Sequence, residues 1–233
     1  MIKNENKYKL TTVVNEKATE ETDHVVDDIL LIDVLTGKVV TRYLKAHTLS
    51  YNARFARSGK FFVTGSCDYS LKIFPINTNA VLSVADCTLD LDQRFKTFCI
   101  DKTDSYVIGR HYYDESFAVY KISEIDNKYH LSFVGRWTFK EGTQVGKDTT
   151  VFGFSKCRTK KNGDIIFYDN RHPVEGEKFL IMSNISDGST NKWLKPSFYH
   201  GENRRNIDTM KLEKLEMQSV TPRFCRHKSP TCK

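Results

Sequence analysis

The chain has 233 residues, a formal charge of +7 and 12% aromatic residues, which is enough to bury one substantial core without a disulfide scaffold. Its six cysteines (Cys67, Cys87, Cys99, Cys157, Cys225 and Cys232) show no CxxC pairing and the opening MIKNENKYKL is polar; a reducing, intracellular location in cytoplasm and/or nucleus is expected. No apolar run approaches the roughly 18–20 residues that cross a bilayer; the most apolar stretch, 29–34, already contains Asp33, so no membrane partner is expected.

Tyr, Phe, Val, Ile and Thr dominate short apolar runs that are broken by Gly, Asn and Asp, a strand-rich composition. In chain order, 7–14 reads as a strand of an incomplete first unit, so that the chain is expected to start in mid-unit. The acid-rich stretch 15–28 reads as a surface loop. ILLIDV (29–34), the turn LTGK and VVTRYLK follow, then AHTLSYNARF, the turn ARSGK, FFVTGS, the turn CDYS and LKIFPI (71–76); each break carries turn residues. Further strands are expected at 95–101, 105–110, 117–122 and 128–139. In the next stretch VFGFSKC and DIIFYDN are separated by RTKKNG alone before KFLIMSN, and the strands there have no clean assignment.

Four of these segments repeat. ILLIDV, LKIFPI, FAVYKI and DIIFYDN align on Ile32, Phe74, Tyr120 and Tyr168, at intervals of 42, 46 and 48 residues. This is the period of a four-stranded propeller blade, about 40–45 residues, with room for loop insertions. Within the second unit, Ala46-His47, Ala53-Arg54-Phe55, Ser58-Gly59-Lys60, Thr64-Gly65-Ser66, Asp68 and Leu71-Lys72-Ile73-Phe74 resemble a repeat of the WD40 family; the other units match it only loosely. The resemblance implies a buried hydrogen-bonded set of His47, Thr64 or Ser66, and Asp68, with Phe74 where the family usually carries Trp. Without the indole N–H, such a network ends at the Ser or Thr hydroxyl.

The expected fold is therefore all-β: a partial or incomplete WD40-type β-propeller of about four blades over 1–200, with a basic, partly helical or disordered tail over 201–233. A closed seven-bladed ring needs about 300 residues, which leaves a fragment, a small or unusual propeller, or a half completed by another chain as open alternatives. The tail holds eight Lys/Arg against four acids, so more than half of the excess positive charge lies there.

No HExxH, GxSxG, GxxxxGK[ST] or GxGxxG occurs, so no enzyme reading rests on a motif and neither cofactor nor metal is expected. His111 with Asp114 and Glu115 reads as a solvated turn in preference to a site. Cys225, His227 and Cys232 lack the four ligands of a closed zinc site. The leading function is a non-catalytic scaffold for protein–protein interaction in a multi-subunit complex, with Arg57, Lys60, Tyr69, Tyr112 and Arg171 as candidate contacts on turns. Tyr168-Asp169-Asn170-Arg171 also resembles the W-D-x-R box by which many WD40 proteins dock onto the adaptor of cullin-4 ubiquitin ligases, which makes a substrate receptor of such a ligase one alternative; capping of a strand end by Asp169 and Arg171 is the plainer reading. An RNA- or DNA-associated subunit that uses the basic tail is the other alternative.

Overall fold

The computed structural model describes residues 7–22, 24–48, 51–112 and 116–139, and beyond them 156–159, 165–168, 177–182, 184–186, 191–193, 197–201 and 217–219. These form a propeller-type succession of sheets, each built around three or four strands that follow one another in the chain. In the first, β1 (Tyr8–Val14), β2 (Asp27–Asp33) and β3 (Val39–His47) run antiparallel. The second holds β4 (Tyr51–Phe55), β5 (Phe61–Ser66) and β6 (Ser70–Pro75); β7 (Leu82–Ser83) returns to pair in parallel with β3, and β8 (Cys87–Asp90) completes the second sheet beside β6. The third is β9 (Phe95–Ile100), β10 (Tyr106–His111), β11 (Phe117–Ile125) and β12 (Lys128–Phe139). The fourth takes β13 (Lys156–Thr159), β14 (Ile165–Tyr168), β15 (Glu177–Met182) and β18 (Ser197–Gly201), with β16 (Asn184–Ser186) and β17 (Asn191–Trp193) paired separately. Within the 201–233 segment, β19 (Met217–Ser219) adds to the free edge of β12.

Alternation along the inner strands explains why the sheets stack. Every residue of β5 and of β10 is buried, so both faces of these strands are covered. On one face of the second sheet, Phe62 and Phe74 join Ile29, Leu31, Tyr43 and Ala46 of the first sheet. Phe62 and Phe74 stack at 5.0 Å between ring centroids, and Tyr43 meets them edge-on at 5.0 and 5.3 Å. The residues of opposite parity, Phe61, Val63, Leu71 and Ile73, pack against Phe98, Ile100, Val107, Ala118, Tyr120 and Leu131 of the third sheet. Each such aromatic or aliphatic side chain contributes about 1.5–3 kcal/mol through removal from water. Strand β9 lies against β4, β5 and β13, so the first strands of sheets two, three and four are neighbours.

Four expectations change here. The stretch 15–28 is no loop throughout: α1 (Glu16–Thr22) occupies its middle, with the Asn15 side chain accepting the Ala18 N–H at 3.0 Å as an N-cap. Its last residues enter β2, where Asp28 is fully buried and takes hydrogen bonds from Arg42 Nε (2.6 Å), Asn15 Nδ2 (2.9 Å) and Lys45 N (2.7 Å). Tyr168 is not the fourth equivalent anchor: Phe74 and Tyr120 lie on the third strands of their sheets, whereas Tyr168 ends β14, the second strand of the fourth. A short apolar run looks the same in either place, and only the pairing with β13 and β15 separates them. His111 is not in a solvated turn but at the end of β10, fully buried, with its ring 4.8 Å from that of Phe95; Asp114 and Glu115 lie outside the described residues. Finally, Cys87 is disulfide-bonded, a pairing that cysteine spacing did not signal.

Candidate functional site

The residues with the most concentrated polar chemistry sit where β3 ends and the β5–β6 turn begins. His47 closes β3, Thr64 and Ser66 stand on the same face of β5, and Asp68 lies in the turn. His47 Nδ1 is 2.9 Å from Asp68 Oδ2, and His47 Nε2 is 2.6 Å from Thr64 Oγ1. A carboxylate only accepts, so Nδ1 carries the proton and donates it to Asp68, and Nε2 accepts from the Thr64 hydroxyl. Asp68 also accepts the backbone N–H of Thr48 at 3.3 Å and of Ser70 at 3.0 Å, and the Ser70 hydroxyl donates to its second oxygen. Ser66 takes a different part: its Oγ accepts the Asp68 N–H at 3.1 Å and shapes the turn. Thr64, not Ser66, is the hydroxyl that meets His47.

Burial keeps this imidazole neutral. The His47 pKa is lowered because burial disfavours the charged ring, and this outweighs the hydrogen bond and charge of Asp68, which act the other way. Burial alone would raise Asp68, but the hydrogen bond from His47 and those from Ser70 and Thr48 prevail and hold its carboxyl below the usual carboxylate range. Lys72, on the same face of β6, donates its ammonium to the Ala46 carbonyl, and burial lowers its pKa. Phe74 takes no part in the polar network: its ring belongs to the aromatic stack with Phe62 and Tyr43. The polar groups are thus tied to backbone and to one another, with Thr64 and His47 fully enclosed, an arrangement that holds the turn in place.

The third sheet lacks the His and Ser-x-Asp residues and uses other groups at the corresponding end. There the buried Arg136 donates from Nε to Ser116 Oγ at 2.6 Å and pairs with Asp92 in the connection between β8 and β9.

The turn residues proposed as contacts divide between the two ends of the sheets. Arg57 and Lys60 are exposed in the β4–β5 turn. Their end adjoins the β9–β10 turn, where Asp104 accepts the backbone N–H groups of Arg57 and Ser58 at 2.7 Å each. Tyr69 and Tyr112 lie at the opposite end. Tyr69 is 40% and Tyr112 43% exposed. The Arg94 guanidinium sits 4.0 Å from the centroid of the Tyr112 ring, with the Lys96 ammonium 5.8 Å from it, and Arg94 also reaches Cys67 Sγ at 3.0 Å, beside the Tyr69 turn. The structure therefore groups Tyr69 with Tyr112 and separates both from Arg57 and Lys60. Tyr168 ends β14, whereas Asp169 and Arg171 lie outside the described residues, as do Cys225, His227 and Cys232.

Several contributors were not singled out in sequence. Ser70 follows Asp68 by two residues, and the Asp-x-Ser spacing of a tight turn was the available signal. Arg94 and Asp104 had none, because each acts on a turn distant in sequence. Among the described residues, no group of three or more His, Cys, Asp and Glu is placed to hold a metal ion, and no helix is long and apolar enough to cross a membrane.

No family model and no curated protein matches the chain. Among solved structures it is similar to Hsv2 of Kluyvelomyces marxianus, at 13% identity and a TM-score of 0.37, over 54% of this chain and 44% of that one. The match thus spans less than half of that protein's length, and the propeller-type description stands on the sheets themselves.

Proposed function

We propose that the chain is a non-catalytic WD40-type scaffold that binds other proteins through the sheet end carrying Tyr69 and Tyr112. The observation that supports this is the backbone of Tyr69. Its φ is +63°, in the left-handed region that costs a side-chain-bearing residue about 1–2 kcal/mol, and this large residue is nevertheless 40% exposed. A turn selected for stability alone takes Gly or Asn at such a position. An aromatic ring held there by the Asp68 network, near Arg94 stacked on Tyr112, has the composition of a protein-binding hot spot, where Tyr and Arg prevail.

The test is affinity capture from native extract with quantitative mass spectrometry, comparing the wild type with the Tyr69→Ala/Tyr112→Ala double variant. A defined set of proteins retained by the wild type and reduced at least about tenfold by the double variant, which corresponds to about 1.4 kcal/mol, is the expected result. Retention that does not depend on the two rings refutes this surface. The same capture reports whether nucleic acid is retained with the protein, which the scaffold reading does not require.

A further inference from the structure

We propose that Cys99 and Cys157 are a thiol pair that peroxide converts into a disulfide joining the third sheet to the fourth. Cys99 lies on β9 and Cys157 on β13, the neighbouring first strands of the two sheets. Their sulfur atoms are 2.6 Å apart, well inside van der Waals contact for two sulfurs, and both side chains are buried, at 4% and 8% exposure. They are separated by 58 positions in sequence, with β10 to β12 in between, so a bond here closes a long loop and constrains the unfolded chain accordingly.

The surroundings equip one of the two sulfurs as the attacking group. Thr97 Oγ1 is 3.4 Å from Cys157 Sγ. Burial alone would raise the Cys157 pKa, but the hydrogen bonds from Cys99 and Thr97 and the positive charge of Arg54 prevail and lower it. Arg54 is held in place by the ring of Phe98, 5.9 Å from its guanidinium carbon, and by the carbonyl of Ala53.

In the first step the Cys157 thiolate attacks one oxygen of hydrogen peroxide. An S–O bond forms, the O–O bond breaks, and the departing hydroxide takes a proton to leave as water, with Cys157 now a sulfenic acid. In the second, the Cys99 sulfur attacks Cys157 Sγ; the S–S bond forms, the S–O bond breaks, and hydroxide leaves with the Cys99 proton as a second water. Two thiols lose two electrons and two protons, and peroxide is reduced to two waters. The consequence is mechanical: β13, and with it the fourth sheet, is covalently fixed to β9, and a thiol reductant releases it.

The test treats the full-length chain with hydrogen peroxide, blocks remaining thiols with an alkylating reagent, and maps non-reduced peptides by mass spectrometry. The expected product is a cross-link between the Cys99 and Cys157 peptides that dithiothreitol reverses. It is accompanied by a rise in the thermal midpoint that Cys99→Ala does not show, and that variant instead leaves Cys157 as a sulfenic acid trapped by dimedone. Full alkylation of both residues after a treatment that oxidises Cys67, the half-buried free cysteine, overturns the proposal, and so does a cross-link from either residue to any other cysteine.

Discussion

Asp104 accepts the backbone N–H groups of Arg57 and Ser58 at 2.7 Å each, across 47 and 46 residues of chain. The third sheet thereby fastens the β4–β5 turn of the second, and Arg57, which is exposed, is fixed through its main chain. Asp104 itself has φ of +58°, a conformation that Asp and Asn tolerate better than other side chains.

Asp104→Ala removes both acceptors and places Ala in the left-handed region, with an expected loss of about 1–3 kcal/mol. Asp104→Asn keeps one acceptor and the tolerant backbone and is expected to lose less. Urea denaturation of the two variants checks the order; equal midpoints for wild type and Asp104→Ala mean that the turn stays in place without this latch.

At the other end of the second sheet, Asp68→Ala strands the His47 N–H and the N–H groups of Thr48 and Ser70. The expected cost is about 3 kcal/mol, with Ser66→Ala costing less because Ser66 supports the turn with one bond to Asp68 N. Thermal unfolding of both variants measures the difference, and an Asp68→Ala midpoint at the wild-type value removes Asp68 from the structural set.

The same cluster sets a pH dependence. The folded-state pKa of His47 is below its ordinary value of 6.5, so the unfolded chain binds the proton more readily than the native one. The stabilisation is complete above that value and is lost as pH falls below it toward the folded pKa. Asp68, also depressed in the fold, adds a second loss as pH falls below 3.8. Denaturation midpoints measured from pH 7.5 to 4.5 are expected to decline on the acid side, and His47→Asn to flatten the part of that decline due to the imidazole. An identical slope in the variant assigns the acid loss to other groups.

Glycine marks the tightest approach in the third sheet. A Cβ on Gly109 would run into the ring of Phe95, which is itself packed on His111 and Tyr120, whereas one on Gly65 would come within 3.1 Å of the Phe98 ring edge. Gly109→Ala is expected to cost about 2–3 kcal/mol through overpacking, and Gly65→Ala clearly less. The ranking, read from urea midpoints, is the check, and equal effects refute the close packing at Gly109.

Sheets two and three were legible because each strand is a short apolar run ended by turn residues, as at Ser58-Gly59-Lys60 and Asp68-Tyr69. His47, Thr64 and Asp68 could be named together because a local turn and a single His define that set. What stayed hidden depends on partners far along the chain. The capped helix α1 is two turns long, too short for a periodic pattern to emerge from an acidic stretch. The Tyr168 anchor was misplaced because the strand order, not the apolar run, distinguishes second from third position. The Asp104 latch, the Arg94 contact with Cys67 and the Cys99–Cys157 approach are all products of sheet stacking, which carries no local signature.

The most direct measurement is made on one variant, Tyr69→Gly, read in two ways. Glycine relieves the left-handed backbone by about 1–2 kcal/mol and gives back about 0.5–1 kcal/mol in chain entropy, so the thermal midpoint is expected to stay level or rise slightly. Removal of the ring is expected to lower retention of the captured partner proteins at least about tenfold. A stability maintained while binding is lost is the signature of a strained residue kept for recognition. A markedly lower midpoint, or partner retention equal to that of the wild type, contradicts the assignment of this sheet end as the docking surface.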